Sequence, residues 1–256
     1  VRYIVSGGGA LQPRLARVFW AAGIRVMEGY GMTETSPVIA ASQPVPEGNL
    51  IGAVGPVIPG VEVKIAPDGE ILTRSPSVMQ GYYNRPDLTA EVIDADGWLH
   101  TGDIGEFVQG RFLKITDRKK EMFKTSNGKY VAPQPLESKL AESPLVEQVM
   151  VVGDGEKYAA ALLVPAFTEL RAWARKQQLP ADLSDAALAA HAQVRQLYEQ
   201  LVQQTNKAFA QWEQIKKIDL LPALWSVEAG ELTPTLKVRR KVISDRYRQR
   251  IEALFR

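Results

Sequence analysis

Glu28-Gly29-Tyr30-Gly31-Met32-Thr33-Glu34-Thr35-Ser36-Pro37 gathers more chemistry than any other short run in the chain. An aromatic between two glycines, then a hydroxyl and a carboxylate within four residues, supplies a stacking face, a hydrogen-bond donor and a ligand for a hard cation. A nucleotide phosphate with Mg²⁺ requires those three things. Three other stretches offer single groups. Gly7-Gly8-Gly9 leaves free N–H groups before a helix start and room for a ligand to approach the backbone, although a tight strand-to-helix turn with no ligand uses the same residues. Thr101-Gly102-Asp103 reads as a small-residue turn holding one carboxylate. Thr233-Pro234-Thr235 is a rigid turn able to hold Lys237 away from the scaffold, and a surface lysine in a basic tail is the plainer reading.

The elements that must position these groups follow from periodicity and punctuation. Val1 to Val5 reads as a strand, Leu11 to Ala22 as a helix with Leu15, Val18, Phe19 and Ala22 on its apolar side, and Ile24 to Met27 as a second apolar element. Short strands punctuated by Gly and Pro are expected in Gly52 to Ile65, Gly69 to Leu72 and Ser77 to Asn84. Arg111 to Ile115 alternates like a strand and is followed by the charge cluster Asp117-Arg118-Lys119-Lys120-Glu121, then by a turn at Ser126-Asn127-Gly128. Such a cluster suits either a surface hairpin with solvated charges or a joint between two bodies. Beyond it a helix begins at Leu136 to Ala141. Two apolar strands, Val146 to Val152 and Ala159 to Val164, flank the turn Gly153-Asp154-Gly155. Helices are expected over Phe167 to Gln178 and Leu183 to Trp212, where Val194, Leu197, Leu201, Phe209 and Trp212 form a packing stripe, and a strand around Ile218 to Leu221.

Length and composition bound the reading further. The 256 residues allow one or two domains, and 45% hydrophobic with 23% charged residues excludes a disordered chain. A net charge of +2 argues against wholesale nucleic-acid binding, and the basic excess lies in Lys237 to Arg256. With no cysteine there is no disulfide, metal thiolate or cysteine nucleophile, which fits a reducing compartment. The apolar stretch Tyr158 to Phe167 is interrupted by Pro165 and falls short of a membrane span. Val1 stands inside an apolar run with no initiator Met, so a portion of a longer protein is expected.

Taken together and in order, GYGMTE, TGD, the DRKK joint and LTPTLK resemble the signature set of the acyl-CoA synthetase, nonribosomal adenylation-domain and luciferase superfamily. Within it the chain is most similar to long-chain fatty-acid CoA ligases. The resemblance implies an α/β fold, α+β in its C-terminal part: residues 1–116 as the end of a large adenylate-forming domain with a small β-subdomain, a hinge, and residues 117–256 as a compact mobile domain with a helical insertion at about 167–212. It implies a ligase that joins a fatty acid to AMP from ATP, with Mg²⁺, and then to CoA. The phosphate-binding loop of such enzymes would lie upstream, so the present polypeptide alone is expected to be inactive.

Residue by residue, the resemblance implies that Tyr30 stacks on adenine, Thr33 contacts the α-phosphate or acyl oxygen, and Glu34 holds Mg²⁺. Asp103 accepts from the ribose hydroxyls, Arg118 secures the ribose side, and Gly8 and Gly9 line the adenine and acyl pocket. Lys237 reaches the α-phosphate and acyl carboxylate during adenylation. The chain then turns about Asp117, Lys237 departs, and the Gly128 turn enters for thioester formation. Leu236 replaces a glycine common in the superfamily. Arg239-Arg240-Lys241 is either a contact for CoA phosphates or anionic lipid headgroups, or a solvated helix start. A cytoplasmic location, with a peripheral position at the inner membrane face as a variant, goes with this reading. Its rivals are a ligase for a shorter or aromatic acid, a carrier-protein loading enzyme, and a non-catalytic domain that binds only a nucleotide or partner.

Overall fold

Glycine and proline punctuate the chain into short elements, and a computed structural model, which describes residues 3–256, resolves them into two compact units, 1–120 and 121–256. In the first, β1 (Ile4–Gly7) leads through the glycine turn to α1 (Pro13–Ala21), then β2 (Val26–Gly31) and β3 (Val38–Ala41). These strands form one sheet, β1 parallel to β2 and β2 antiparallel to β3. A second sheet follows, from β4 (Gly55–Pro56), β5 (Glu62–Ile65), β6 (Glu70–Arg74), β7 (Leu99–Val108) and β8 (Phe112–Arg118), in the order β4-β8-β7-β6-β5, with α2 (Pro86–Val92) between β6 and β7. β7 and β8 are joined at Gln109-Gly110, both at positive φ, the geometry that matches the twist of a hairpin. Tyr30, Ile39 and Ala40 of the first sheet share a buried core with Ile71 and Leu113 of the second.

Several local expectations change. Thr101-Gly102-Asp103 lies inside β7 rather than in a turn, and β8 runs on through Asp117 and Arg118 instead of ending before the charge cluster. Register explains both: β7 and β8 pair as far as Ile104–Asp117 and Asp103–Arg118, so cross-strand bonds outweigh local charge. β2 likewise continues through Tyr30 and Gly31. Ser77 to Asn84 contains no strand. α1 buries only Ala16, whereas Leu15, Val18 and Phe19 are exposed, as are Ile4 and Val5 of β1. The apolar face expected there therefore has no cover from the described residues. Of the first strand, Val1 and Arg2 lie outside the described residues.

The second unit begins with the hairpin β9 (Phe123–Lys124) and β10 (Tyr130–Val131), then α3 (Pro133–Leu140). Its central sheet joins β11 (Val146–Val152), β12 (Ala159–Pro165) and β13 (Ile215–Leu220), with β12 antiparallel to β11 and parallel to β13. Between β12 and β13 lie α4 (Phe167–Lys176), α5 (Asp185–Ala190) and α6 (Ala192–Asn206); α7 (Arg240–Arg246) and α8 (Arg248–Phe255) close the chain. β12 is buried on both faces. Ala159, Ala161 and Leu163 face the core under α3 to α6, and Ala160, Leu162 and Val164 face the one under α7 and α8, the period of two that a strand imposes.

The long second helix is broken at His191, whose extended backbone ends α5 and whose Nδ1 accepts from the Gln193 amide at the start of α6. α6 buries Val194, Tyr198, Val202 and Thr205, with Leu197 and Leu201 half-buried beside them, and it stops at Asn206. Trp212 falls beyond it, half-exposed, with Lys129 Nζ 5.4 Å from its ring centroid.

Candidate functional site

β2 carries Tyr30 to the seam between the two sheets of the first unit. Gly31, the next residue, cannot be replaced without rearrangement, because a Cβ there would lie 1.7 Å from the Pro37 carbonyl oxygen. The chain then reverses through a 3₁₀ turn, Thr33–Thr35, pinned by buried Thr35. Its Oγ1 accepts from the Met32 amide at 3.1 Å and lies 2.9 Å from both the Met32 and Pro37 carbonyls, to one of which it donates. This turn leaves Thr33 exposed and Glu34 half-buried. Glu34 is held twice: its carbonyl accepts from the Met79 amide at 2.8 Å, and its Oε1 accepts from the Tyr82 hydroxyl at 2.8 Å.

Tyr30 is only 8% exposed, and its hydroxyl donates to Asp103 Oδ2 at 2.7 Å. Burial, then the Asp103 charge, raise the phenol well above its usual range, so it stays a donor. On the other side of the carboxylate, Arg118 Nε stands 3.5 Å from Asp103 Oδ1. The pair sits opposite one another because β7 and β8 place Asp103 and Arg118 in register. Thus Tyr30, Asp103 and Arg118 are brought together, with Thr33 and Glu34 on the turn that follows β2.

The neighbouring Asp117 is completely buried in β8, and its Oδ1 accepts from the Arg118 amide at 2.6 Å. Gly8 and Gly9 are exposed, with nothing within 4 Å of where a Cβ would stand, so backbone there is open to approach. Lys237 and Gly128 belong to the second unit. Lys237 is exposed on a hairpin closed by Thr233 and Lys237, whose backbones bond at 2.8 Å, and Thr233 Oγ1 accepts from the Lys237 amide at 3.0 Å. Leu236 has φ +60. Gly128 takes φ +79 in the exposed turn between β9 and β10. Arg239 and Arg240 are engaged in holding the fold: Arg239 donates to the Gly230 carbonyl, and Arg240 donates to Glu137 at 2.6 Å and to the Val151 carbonyl at 3.0 Å.

Among the described residues no three His, Cys, Asp or Glu side chains cluster as a metal cage. Glu34 alone fits a Mg²⁺ that arrives with phosphates, since that ion keeps several waters and takes only one or two carboxylates from a protein. Sequence reasoning missed Thr35 and Tyr82, which hold the turn that carries Thr33 and Glu34. The hydroxyl of Thr35, two residues after Thr33, was the only local signal among them. No helix among the described residues is long and apolar enough to cross a membrane.

An AMP-binding enzyme profile matches residues 1–83, and the profile of the AMP-binding enzyme C-terminal domain matches residues 120–256. The chain belongs to the AMP-binding enzyme family. Like other members, it is a mixed α/β chain. The long-chain-fatty-acid–CoA ligase FadD15 of Mycobacterium bovis is 39% identical over 255 residues, 99% of this chain and 42% of that protein. The adenylation domain of a carboxylate reductase from Mycobacterium chelonae superposes with a TM-score of 0.75 at 27% identity, over 98% of this chain and 38% of that one. The o-succinylbenzoate CoA synthetase of Bacillus subtilis, in complex with its acyl-adenylate, gives a TM-score of 0.72 at 25% identity, over 94% of this chain and 45% of that one. This family member therefore spans about two-fifths of the length of the relatives it matches.

Proposed function

We propose that the protein activates a long-chain fatty acid as its adenylate and transfers the acyl group to the thiol of CoA. A carboxylate oxygen of the acid attacks the α-phosphorus of ATP and pyrophosphate leaves. The CoA thiolate then attacks the acyl carbon and AMP leaves. The observation that carries this reading is Asp103, a carboxylate fixed by Tyr30 on one oxygen and flanked by Arg118 on the other. Likeness over the whole chain to a long-chain fatty-acid ligase supports the choice of acid.

Asp103 accepts from the ribose hydroxyls while Arg118 secures that side, and Tyr30 stacks on adenine. Thr33 donates to the α-phosphate or acyl oxygen. Glu34 would hold Mg²⁺, whose charge offsets that of the phosphate oxygens. Backbone at Gly8 and Gly9 admits the adenine and acyl groups closely. Lys237 brings an ammonium to the α-phosphate during adenylation, and the Gly128 turn serves thioester formation. Between the two stages residues 117–256 turn on Asp117, a movement that requires the end of β8 to loosen its pairing with β7. Contact with a membrane periphery, in a cytoplasmic enzyme, is compatible with this chemistry and is not needed by it.

Acid-dependent exchange of labelled pyrophosphate into ATP by the intact protein, run with short, long and aromatic acids, tests the first stage. Long-chain acids are expected to be preferred, with CoA and not a carrier protein as acceptor. No acid-dependent exchange would reduce the protein to a nucleotide or partner binder. Preference for an aromatic acid would move it to another ligase class.

A further inference from the structure

We propose that Glu70 is a positioning residue for nucleotide recognition: its carboxylate fixes Gly102 and Lys119, and through them sets Asp103 against Arg118. The proposal rests on the ribose-binding reading of Asp103. Glu70, at the start of β6, is 4% exposed, yet it lies beside two residues adjacent to the site. Its Oε1 accepts from the Gly102 amide at 3.0 Å. Its Oε2 accepts from Lys119 Nζ at 2.8 Å and lies 3.0 Å from His100 Nδ1.

The reason for this arrangement lies in the backbone. Gly102 has φ +72 in the middle of β7, a conformation that breaks the regular strand and is reserved for glycine. Its amide turns to the Glu70 carboxylate, so Glu70 supplies the acceptor that a half-buried donor needs. Asp103 is the next residue, with its own amide on Thr101 Oγ1 at 3.2 Å. On the partner strand Lys119 follows Arg118, and its backbone amide donates to the Gly102 carbonyl at 2.8 Å. Lys119 Nζ also reaches Asp68 at 2.7 Å. Glu70 therefore grips both strands one residue away from the Asp103–Arg118 pair. Burial would raise its carboxyl, but the bonds from Lys119, His100 and Gly102 outweigh that and hold it below the usual range, so it grips as an anion.

The test is calorimetric titration of the intact protein with AMP and with 2′,3′-dideoxy-AMP, which lacks the hydroxyls Asp103 is read to bind. The unsubstituted protein is expected to prefer AMP, and Asp103→Asn to lose that preference. Glu70→Ala should weaken AMP about tenfold, the scale of one charged hydrogen bond, and leave dideoxy-AMP unchanged. Glu70→Gln keeps an oxygen for the Gly102 amide and should fall between. Lys119→Met leaves the Glu70–Gly102 bond in place and should weaken AMP about threefold, so the test stands even if alanine at position 70 unfolds the protein. General destabilisation would weaken both ligands alike and would overturn the proposal. A preference that needs Asp103 but survives in folded Glu70→Ala, or undiminished in Glu70→Gln and Lys119→Met, overturns the role of Glu70 alone. Equal binding of both ligands by the unsubstituted protein, or a preference retained in Asp103→Asn, overturns the ribose reading itself and the proposal with it.

Discussion

Tyr30 and Asp103 lie 73 residues apart in sequence and are joined by a 2.7 Å hydrogen bond from the phenol to one carboxylate oxygen. The bond sets which Asp103 oxygen remains toward Arg118. Tyr30→Phe keeps the packed ring and removes only the donor. We expect AMP to bind the intact protein about three- to tenfold more weakly, with little change in melting temperature. Unaltered affinity in calorimetry would mean that the phenol does not orient Asp103.

Lys237 closes a tight turn with Thr233, and its side chain is exposed, so its ammonium is presented and not packed. In the intact enzyme Lys237→Ala should slow adenylation about a hundredfold or more, the usual loss for one positioned charge donor. Thioester formation from preformed adenylate should change far less. Stopped-flow measurement of the two half-reactions checks this, and equal losses in both would count against separate conformations for the two stages.

Glu28 in β2 is half-buried, and burial raises its carboxyl to about 7 from 4.5, even though the Leu11 and Gly52 amides pull it down. Because the folded value lies above the unfolded one, the folded state binds more protons between these pH values. Stability from this group is therefore greatest below pH 4.5 and is lost as pH rises toward 7. Glu28→Gln should remove that slope. Melting temperatures of the two proteins, compared from acid to neutral pH, should diverge in favour of the glutamine variant as pH rises, and parallel curves would refute the shift.

Arg240 donates to Glu137 and to the Val151 carbonyl, and Glu137 in turn accepts from the Val151 amide at 2.7 Å. This ion pair ties α7 to α3 and β11. Arg240→Met should cost about 2 kcal/mol of stability in urea unfolding, since it removes the charged partner of a half-buried carboxylate. Binding of CoA or of anionic vesicles should not respond. A variant as stable as the original but deficient in CoA binding would return Arg240 to the ligand-contact reading.

Tyr30, Thr33, Glu34, Asp103, Arg118 and Lys237 are candidates in the sequence because each stands in one of the short strings that resemble the family's signatures. β12 was legible because an uninterrupted apolar run of strand length has few alternatives. The break at His191 was not, because helical periodicity continues across it and only the backbone turn reveals the cap. The exposed side of α1 was missed for a different reason: an amphipathic pattern says which residues prefer burial, not whether a neighbour is there to bury them.

By itself, the order of GYGMTE, TGD, DRKK and LTPTLK determined the family. Only the tertiary structure decided that Tyr82 reaches Glu34 across 48 residues, that Asp117 is buried in β8, and that Glu70 grips Gly102 and Lys119. The physical reason is range. Side-chain type, turn propensity and periodicity are properties of a few consecutive residues, whereas these pairings depend on sheet register, where a single-residue slip would turn every side chain of a strand to the opposite face.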